Sequence, residues 1–399
     1  MKLYPNLVHA TVLVLQDIFE KNVQADHAVH LLLKSNPKWG SRDRRFLAET
    51  TYSVVRWYRL YYEILGEEPK TTSAWWHILG IHWILNNEEL PVMDEFSALD
   101  SVIVNSKKVE FNKIRKVKES IPDWMDALGE NELGNSWGNC LANLNAPQEV
   151  NLRVNSIKSD VDHCVRALGQ EGHETTLNEA DCITLNKRAK LSHLKSFQKG
   201  CFEVQDRGSQ MIAPYLNPQP SAMVIDACAG AGGKTLHLAA LMQNQGMLVS
   251  MDIHSYKLKE LSRRVKRAGV NIVQTQLIEK DTIAKFKEKA DYLLLDVPCS
   301  GLGTLKRNPG AKWQLTLEFI DEIKKVQREI LNSYSTMVKP GGLMVYATCS
   351  VLPSENEHAV QSFLNSVFGK DFGLVKEQTI LPSDHGTDGF FMALLERIK

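Results

Sequence analysis

The chain is short of the features that mark several classes of protein. Its seven cysteines include no C-x-x-C pair, which argues against a zinc ribbon or a thioredoxin-type site. No apolar run approaches the roughly 20 residues of a membrane-spanning helix, and the N-terminus lacks the basic start and cleavage site of a signal peptide. We therefore expect a cytoplasmic protein with free thiols, no bound metal and no membrane partner.

An excess of charge of either sign is also missing. The sequence has 47 basic and 47 acidic residues, so its formal net charge is zero and any affinity for nucleic acid must come from local clusters. With 43% hydrophobic and 24% charged residues, the composition is that of an ordinary globular protein. A length of 399 residues predicts two or three domains.

Three regions differ in their periodicity. Residues 1–118 show helical spacing and end in a basic stretch, and a further helical segment runs from Pro122 through Leu144. From Glu149 to Val204 short β-like runs alternate with one helix. In residues 206–399 strands alternate with amphipathic helices, which predicts an α/β domain with a doubly wound parallel sheet. Its predicted strands are Met223–Ile225, Met247–Met251, Asn271–Thr275, Tyr292–Leu295 and Leu343–Tyr346.

A glycine-rich loop, D-A-C-A-G-A-G-G-K-T, follows the first strand of that domain, from Asp226 to Thr235. A phosphate-binding loop would need glycine where Cys228 stands, and a dinucleotide loop would need glycine in place of Thr235. S-adenosylmethionine needs neither pattern. It requires a tight turn and acids after the first two strands, which Asp226 and Asp252 supply. This loop favours a methyl donor over a merely structural turn.

Acidic residues also follow the third and fourth strands. Asp281 is placed to meet an adenine amino group, and Asp296 to hydrogen-bond N3 of a pyrimidine base. Simpler roles for these carboxylates are helix capping, as for Asp252, and turn capping, as for Asp296.

Two cysteines, Cys299 and Cys349, directly follow the fourth and fifth strands. In an open parallel sheet ligands bind outside the carboxyl ends of the strands, so the two thiols are expected at one site. Carbon 5 of a pyrimidine is activated when a thiolate adds to carbon 6, and a second group must then remove the carbon 5 proton. Spacing alone leaves open which thiol attacks. The other five cysteines fit a buried, structural role.

Six segments together resemble the RNA (cytosine-5) methyltransferase family of the Sun/NSUN type. Three of them are the glycine-rich loop, D-V-P-C-S-G at residues 296–301 and A-T-C-S at residues 347–350. The others are Q-D-R-G-S-Q at residues 205–210, K-R-N-P at residues 306–309 with Lys312-Trp313, and D-G-F-F at residues 388–391. The resemblance covers about residues 120–399.

This resemblance implies a Rossmann-like class I methyltransferase domain that uses S-adenosylmethionine. It implies that Cys349 is the nucleophile and Cys299 assists release, beside Asp296. The chain departs from the family's usual A-A-P-G-G-K, because it has Ala231 in place of the proline, and it has Gly310 where an acid often follows Pro309. The cofactor residues it implies are Asp226, Ala227, Cys228, Ala229, Gly230, Ala231, Gly232, Lys234, Asp252, Asp281 and Asp296.

The remaining regions show further resemblances. R-D-R-R-F-L at residues 42–47 and V-R-W at residues 55–57 resemble the NusB-like RNA-binding domain of the ribosomal-RNA branch, although a generic helical bundle would also fit. The α+β module resembles the RRM-like domain that precedes the catalytic domain. We therefore predict an all-α domain at 1–118, an RRM-like module at 119–205 and a methyltransferase domain at 206–399.

The expected function is methylation of carbon 5 of a cytosine in RNA, most readily ribosomal RNA, by a monomer. The cytosine has to be unpaired or flipped out, because carbon 6 is shielded in a stacked helix. Basic clusters at 107–118, 187–199 and Lys257–Arg267 are candidate phosphate contacts. Two alternatives stay open, a transfer-RNA methyltransferase and an RNA-binding ribosome assembly factor whose methylation is dispensable.

Overall fold

The computed structural model describes residues 4–178, 182–187 and 189–399. Within these residues no helix is both long and apolar enough to cross a membrane. The helices are α1 (Pro5–Phe19), α2 (Ala25–Ser35), α3 (Ser41–Arg56), α4 (Tyr58–Leu65), α5 (Thr72–Leu85), α6 (Ser101–Phe111), α7 (Arg115–Lys118), α8 (Asp123–Leu133), α9 (Ser136–Leu144), α10 (Val161–Gln170), α11 (Lys195–Gln198), α12 (Arg207–Leu216), α13 (Gly233–Leu241), α14 (Ser255–Ala268), α15 (Thr282–Lys285), α16 (Ala311–Gln314), α17 (Leu317–Tyr334), α18 (Glu357–Leu364) and α19 (Pro382–His385). The strands are β1 (Val150–Val154), β2 (Thr175–Leu177), β3 (Cys182–Leu185), β4 (Phe202–Val204), β5 (Met223–Asp226), β6 (Met247–Asp252), β7 (Val273–Leu277), β8 (Ala290–Asp296), β9 (Val338–Thr348), β10 (Phe372–Ile380) and β11 (Phe390–Arg397).

Contacts divide the chain into two compact units. The first joins Met1–Asn145 to Leu305–Thr316 and is helical, which confirms the predicted all-α N-terminal region. Stacked aromatic rings fill part of its core: Phe19 lies 3.8 Å from Tyr58, and Tyr58 lies 5.7 Å from Trp75, between ring centroids. Such offset pairs add to the stabilisation from buried apolar area.

The short segment Leu305–Thr316 belongs to this helical unit although both of its flanks belong to the other. The indole of Trp313 meets the ring of Tyr58 edge-on at 5.3 Å and donates to the carbonyl of Val55 at 2.8 Å. The ammonium of Lys312 is buried and lies 2.6 Å from Asn145 Oδ1. The Lys312-Trp313 motif therefore anchors this segment among the helices.

The second unit, Ala146–Thr304 with Leu317–Lys399, begins with a small four-stranded antiparallel sheet in the order β2-β3-β1-β4. The apolar side chains of Leu152, Ile183 and Phe202 pack with Leu168 of α10 in its core. This α+β module was predicted from the alternation of short strands with a helix, and the fold confirms it.

The second sheet of this unit has seven strands in the order β10-β11-β9-β8-β5-β6-β7. The five strands from β5 to β9 are parallel, and β11 pairs antiparallel with both β9 and β10. This is the mixed sheet of the Rossmann-like methyltransferase fold, and it confirms the predicted class. The chain runs outward from β5 through β6 and β7 and then returns to β8, so a crevice opens between the carboxyl ends of β5 and β8.

All five predicted strands are present with changed limits. The fifth is much longer, Val338–Thr348 rather than Leu343–Tyr346. The third is Val273–Leu277 rather than Asn271–Thr275, a shift of two residues that keeps the same side chains on each face. The antiparallel pair β10 and β11 had no counterpart among the predicted strands. Strand β10 has exposed Lys376 and Glu377 and a bulge between Leu374 and Lys376.

Candidate active site

The parallel pairing of β8 and β9 brings the two cysteines together. Asp296 at the end of β8 lies beside Ala347 of β9, so the loops that carry Cys299 and Cys349 leave the same edge of the sheet. The two sulfur atoms are 3.1 Å apart, and the backbone N–H of Cys349 donates to Cys299 Sγ at 3.3 Å. Both thiols are half-buried.

The environment of Cys299 shifts its pKa. The hydrogen bond to the sulfur of Cys349, together with burial and the charge on that sulfur, raises the pKa of Cys299 well above its ordinary value. Either thiol can donate the hydrogen bond between the two sulfur atoms.

Backbone hydrogen bonds fix both loops to the sheet edge. Val297 N–H donates to the carbonyl of Ala347 at 3.0 Å, and Gly303 N–H donates to the carbonyl of Cys349 at 2.9 Å. A Cβ on Gly303 would lie 2.2 Å from the carbonyl oxygen of Gly389, so the backbone approach there requires glycine.

A half-buried ion pair lies on the same edge of the sheet. Lys234, in the first turn of α13, places Nζ 2.6 Å from Asp296 Oδ2. Burial opposes the charged lysine, but the attraction of Asp296 and the hydrogen bond that Lys234 donates to it outweigh burial, so the pKa of Lys234 is raised. The structure thus holds a positive charge next to the Asp296 carboxyl group.

The glycine-rich loop is fastened to β6. Gly230 N–H donates to Asp252 Oδ2 at 3.0 Å, and Ala229 N–H donates to the carbonyl of Met251 at 2.9 Å. Gly232 has a φ of +89°, and a Cβ there would lie 2.7 Å from Leu261 Cγ. The loop can therefore turn directly into α13 only with glycine at that position.

Asp226, at the end of β5, is fully buried. Its Oδ2 accepts from Thr235 Oγ1 at 2.6 Å, while Oδ1 has no hydrogen-bond partner among the described residues. Burial raises the pKa of this carboxyl group to about 7. An unpartnered buried oxygen of this kind is a candidate contact for a bound cation.

Two cavities meet at this edge. The larger measures about 1240 Å³, and its lining includes Asp252 with the apolar side chains of Ile253 and Ile278. The smaller, about 220 Å³, is lined by Gln205 and by residues of the glycine-rich loop. Both cavities share Cys228, Gly230 and Asp296.

Nine of the eleven expected cofactor residues line one cavity or the other, and two do not. Gly232 serves the turn into α13, as described above. Asp281 lies four residues beyond the end of β7, where it is exposed at the start of α15 and its carbonyl accepts from Lys285 N–H. The nine are Asp226, Ala227, Cys228, Ala229, Gly230, Ala231, Lys234, Asp252 and Asp296.

Sequence reasoning gave no role to Gln205, although it is the first residue of the Q-D-R-G-S-Q segment. Its amide nitrogen donates to the carbonyl and hydroxyl of Ser209 at 3.2 and 3.1 Å. Its Oε1 is buried, and it has no partner among the described residues. Because Gln205 lines the smaller cavity, that cavity holds two unpartnered acceptor oxygens, from Gln205 and Asp226.

The basic clusters differ in how much of their charge is free. On α14, Arg264 and Arg267 both pair with buried Glu203, so these two guanidinium groups serve the fold. In the stretch 107–118, Arg115 pairs with Asp126 and Glu130. Arg188, in the second cluster, lies outside the described residues. Among the residues that the structure does describe, no group of three or more acidic, histidine or cysteine side chains is arranged to hold a metal ion.

Comparison with protein families matches two segments of the chain. Residues 213–396 match a family described as 16S rRNA methyltransferase RsmB/F. Residues 121–192 match the ferredoxin-like domain of RsmF/B-like methyltransferases. The first match covers the seven-stranded sheet and the cysteine pair, and the second covers most of the α+β module.

Individual relatives carry related descriptions. A "probable ribosomal RNA small subunit methyltransferase B" of Synechocystis is 31% identical over 96% of this chain and 98% of its own length. The protein of the same description in Bacillus subtilis is 30% identical, over 69% of this chain and 65% of its own. A tRNA (cytosine(72)-C(5))-methyltransferase of Pyrococcus horikoshii is 33% identical over 58% of this chain and 61% of its own.

Solved structures include a chain of the same overall extent. The crystal structure of PH0851 superposes with a TM-score of 0.82 at 25% identity and covers 99% of both chains. The structural similarity therefore includes the helical region as well as the sheet domain.

Proposed function

The chain belongs to the 16S rRNA methyltransferase RsmB/F family, and from this we propose that it methylates carbon 5 of a cytosine in ribosomal RNA. One observation supports the chemistry above all others: two thiols lie 3.1 Å apart on loops that leave the sheet edge where Asp296 stands. Adding a nucleophile to carbon 6 and then removing it needs a nucleophile and a base, and the two thiols can take these roles.

S-adenosylmethionine is the methyl donor that the cavities fit. In the larger cavity, Asp252 would accept from ribose hydroxyls while Ile253 and Ile278 contact the adenine. In the smaller cavity, the unpartnered oxygens of Asp226 and Gln205 would receive the cationic amino group. When bound, the donor supplies an electrophilic methyl group.

The first step that we propose is attack by Cys349. Its thiolate adds to carbon 6, and the electron pair of the carbon 5–carbon 6 bond makes carbon 5 nucleophilic toward the methyl group. The negative charge that develops across N3 and O2 needs a nearby cation or proton, and the Lys234–Asp296 pair stands at that end of the crevice.

The release step falls to Cys299. Bonding of Cys349 to carbon 6 changes the sulfur atom whose hydrogen bond and charge contribute to the raised pKa of Cys299. We propose that Cys299 then acts as the base. It removes the proton from carbon 5, the double bond re-forms, and Cys349 leaves as a thiolate.

Phosphate contacts would come from the basic side chains that remain exposed. On α14 these are Lys259, Arg263 and Lys266.

We propose that the helical region adds a NusB-like RNA-binding domain at 1–118 and that the α+β module spans 119–205. The cytosine enters unpaired, the working form is a monomer, and the cytoplasm is the expected compartment.

A transfer-RNA substrate is the second candidate, because the Pyrococcus horikoshii relative is described as acting on tRNA. Purified protein should be incubated with labelled methyl donor and transcripts of small-subunit rRNA or of tRNA, followed by nucleoside mass spectrometry. Formation of 5-methylcytidine in rRNA supports the proposal, and formation only in tRNA supports the second candidate. Strong RNA binding with no methylated nucleoside in either RNA would favour an assembly factor.

A further inference from the structure

A single buried carboxyl group joins the two loops that carry the cysteines. Glu355, in the turn between β9 and α18, is 0% exposed. Its Oε1 accepts from the hydroxyls of Ser300 and Ser350, each at 2.5 Å. These two serines directly follow Cys299 and Cys349, so one side chain contacts both segments.

The other oxygen of this carboxyl group is also fully used. Oε2 accepts from Ser300 N–H at 2.8 Å and from Gln327 Nε2 of α17 at 2.8 Å. Gln327 Nε2 also donates to the carbonyl of Pro298 at 3.0 Å, which precedes Cys299. Four donors converge on one carboxylate, an arrangement expected to hold its neighbours with little freedom.

The two cysteine segments depend on Glu355 to different degrees. The Cys349 segment has a separate support in Asn356, whose Oδ1 accepts from Thr348 Oγ1 at 2.5 Å and whose Nδ2 donates to the Ser350 carbonyl at 3.1 Å. Ser300, by contrast, gives both its hydroxyl and its N–H to Glu355. Other bonds hold the ends of the Cys299 loop, from Val297, Gly303 and Gln327. Because Ser300 donates twice to Glu355 and Ser350 donates once, loss of Glu355 would free the residue after Cys299 more than the residue after Cys349.

From this asymmetry we propose that Glu355 is a positioning residue that holds Cys299 at the distance the release step requires. The inference rests on the proposed function, because it assigns Glu355 to one of its two thiol steps. Glu355 touches neither sulfur and acts through Ser300. A displacement of about 1 Å at a reacting group can cost roughly 100-fold in rate, so a loosened Cys299 should slow release while attack by Cys349 continues.

The test separates attack from release with two RNA probes. One probe is transcribed small-subunit rRNA that contains 5-fluorocytidine. With it, the bond between the attacking cysteine and carbon 6 persists, because release would require fluorine to leave carbon 5 as a cation. Its rate of adduct formation reports attack and methyl transfer alone. The same transcript with ordinary cytidine reports turnover and any adduct that accumulates because release is slow.

For Glu355→Ala we expect adduct formation on the fluorinated RNA within about threefold of the unmodified protein. On ordinary RNA we expect kcat to fall at least roughly tenfold, with a denaturation-resistant adduct and little change in KM. Glu355→Gln keeps an acceptor of the same size and should lie between the two proteins. Glu357→Ala is the matched control, because its carboxyl group accepts from Thr379 of β10 rather than from either cysteine segment.

Some outcomes would overturn the inference. Release at the normal rate in Glu355→Ala, or an equal loss of attack and release, would remove the positioning role. If Glu355→Ala does not fold, Ser300→Ala replaces it, since that variant keeps the N–H bond and should show a smaller accumulation of adduct. If the unmodified protein forms no adduct on fluorinated rRNA or on fluorinated tRNA, the proposed function itself fails, and this result is distinct from the others.

Discussion

The sulfur of Cys299 lies 3.1 Å from the sulfur of Cys349, although the two residues are 50 positions apart in the chain. The neighbouring parallel strands β8 and β9 produce this contact, because Asp296 and Ala347 share a register. The same contact raises the pKa of Cys299. It also brings both thiols to one place, as the proposed attack by Cys349 and proton removal by Cys299 require.

Replacement of the nucleophile should abolish methylation. In Cys349→Ala no thiolate reaches carbon 6, so carbon 5 is not activated and incorporation of labelled methyl groups into RNA should fall to background. RNA affinity, measured by filter binding, should stay within about threefold. Cys201→Ala removes a buried thiol of the small sheet instead and should retain activity. Normal turnover by Cys349→Ala would remove the nucleophile assignment.

Replacement of the second thiol should trap the enzyme on its RNA. Cys299→Ala leaves attack intact but removes the base that takes the carbon 5 proton. A covalent protein–RNA band should therefore survive denaturing electrophoresis. The double variant Cys299→Ala/Cys349→Ala should show no band. Rapid release without a band, in the presence of methyl donor, would count against the role of Cys299.

The Lys234–Asp296 pair should matter for rate more than for binding. Lys234→Met removes the positive charge beside Asp296, and we expect kcat to fall by roughly 100-fold, as for other losses of a charge that stabilises a transition state. Lys257→Met is the control, because Lys257 lines the larger cavity rather than the smaller one, lies 3.9 Å from Asp252 and has a more exposed side chain than Lys234. Similar kinetics for both variants would contradict a specific role for Lys234.

The affinity for S-adenosylmethionine should depend on pH through Asp226. Burial raises the pKa of this group to about 7, and a cationic ligand favours its ionised form. Affinity should therefore rise as pH increases from about 6 to 8. The ligand's own titration affects the Asp226→Asn variant in the same way, but this variant lacks the carboxyl group. Titration calorimetry should therefore find that its affinity changes less with pH. Equal slopes for the two proteins would contradict the assignment.

Local pattern predicted those parts of the site that follow directly from strand ends. Cys299, Cys349 and Asp296 each come within three residues of a buried parallel strand, and such strands end at one edge of the sheet. Asp281 was expected near adenine on the same logic. It is exposed at the start of α15, in the segment after the end of β7 whose residues Lys280 and Ile283 line the larger cavity, and its contact with adenine stays a prediction.

Other features depend on contacts between distant residues that no local pattern shows. In the sequence Glu355 has no feature that separates it from an ordinary polar residue of a turn. Its role depends on the hydrogen bonds that Ser300 and Gln327 donate to it in the folded chain. The packing of Trp313 among the N-terminal helices is of the same kind. Strand β10 was missed because its exposed, charged and bulged sequence lacks the regular alternation of a half-buried strand.

The most direct test of the account is to identify the atom that joins protein to RNA. The adduct formed by Cys299→Ala with methyl donor and RNA should be digested with nuclease and protease and its cross-linked peptide sequenced by mass spectrometry. We predict that a methylated cytidine is attached to Cys349. Attachment through any other residue, or formation of 5-methylcytidine by a protein that never links to Cys349, would contradict it.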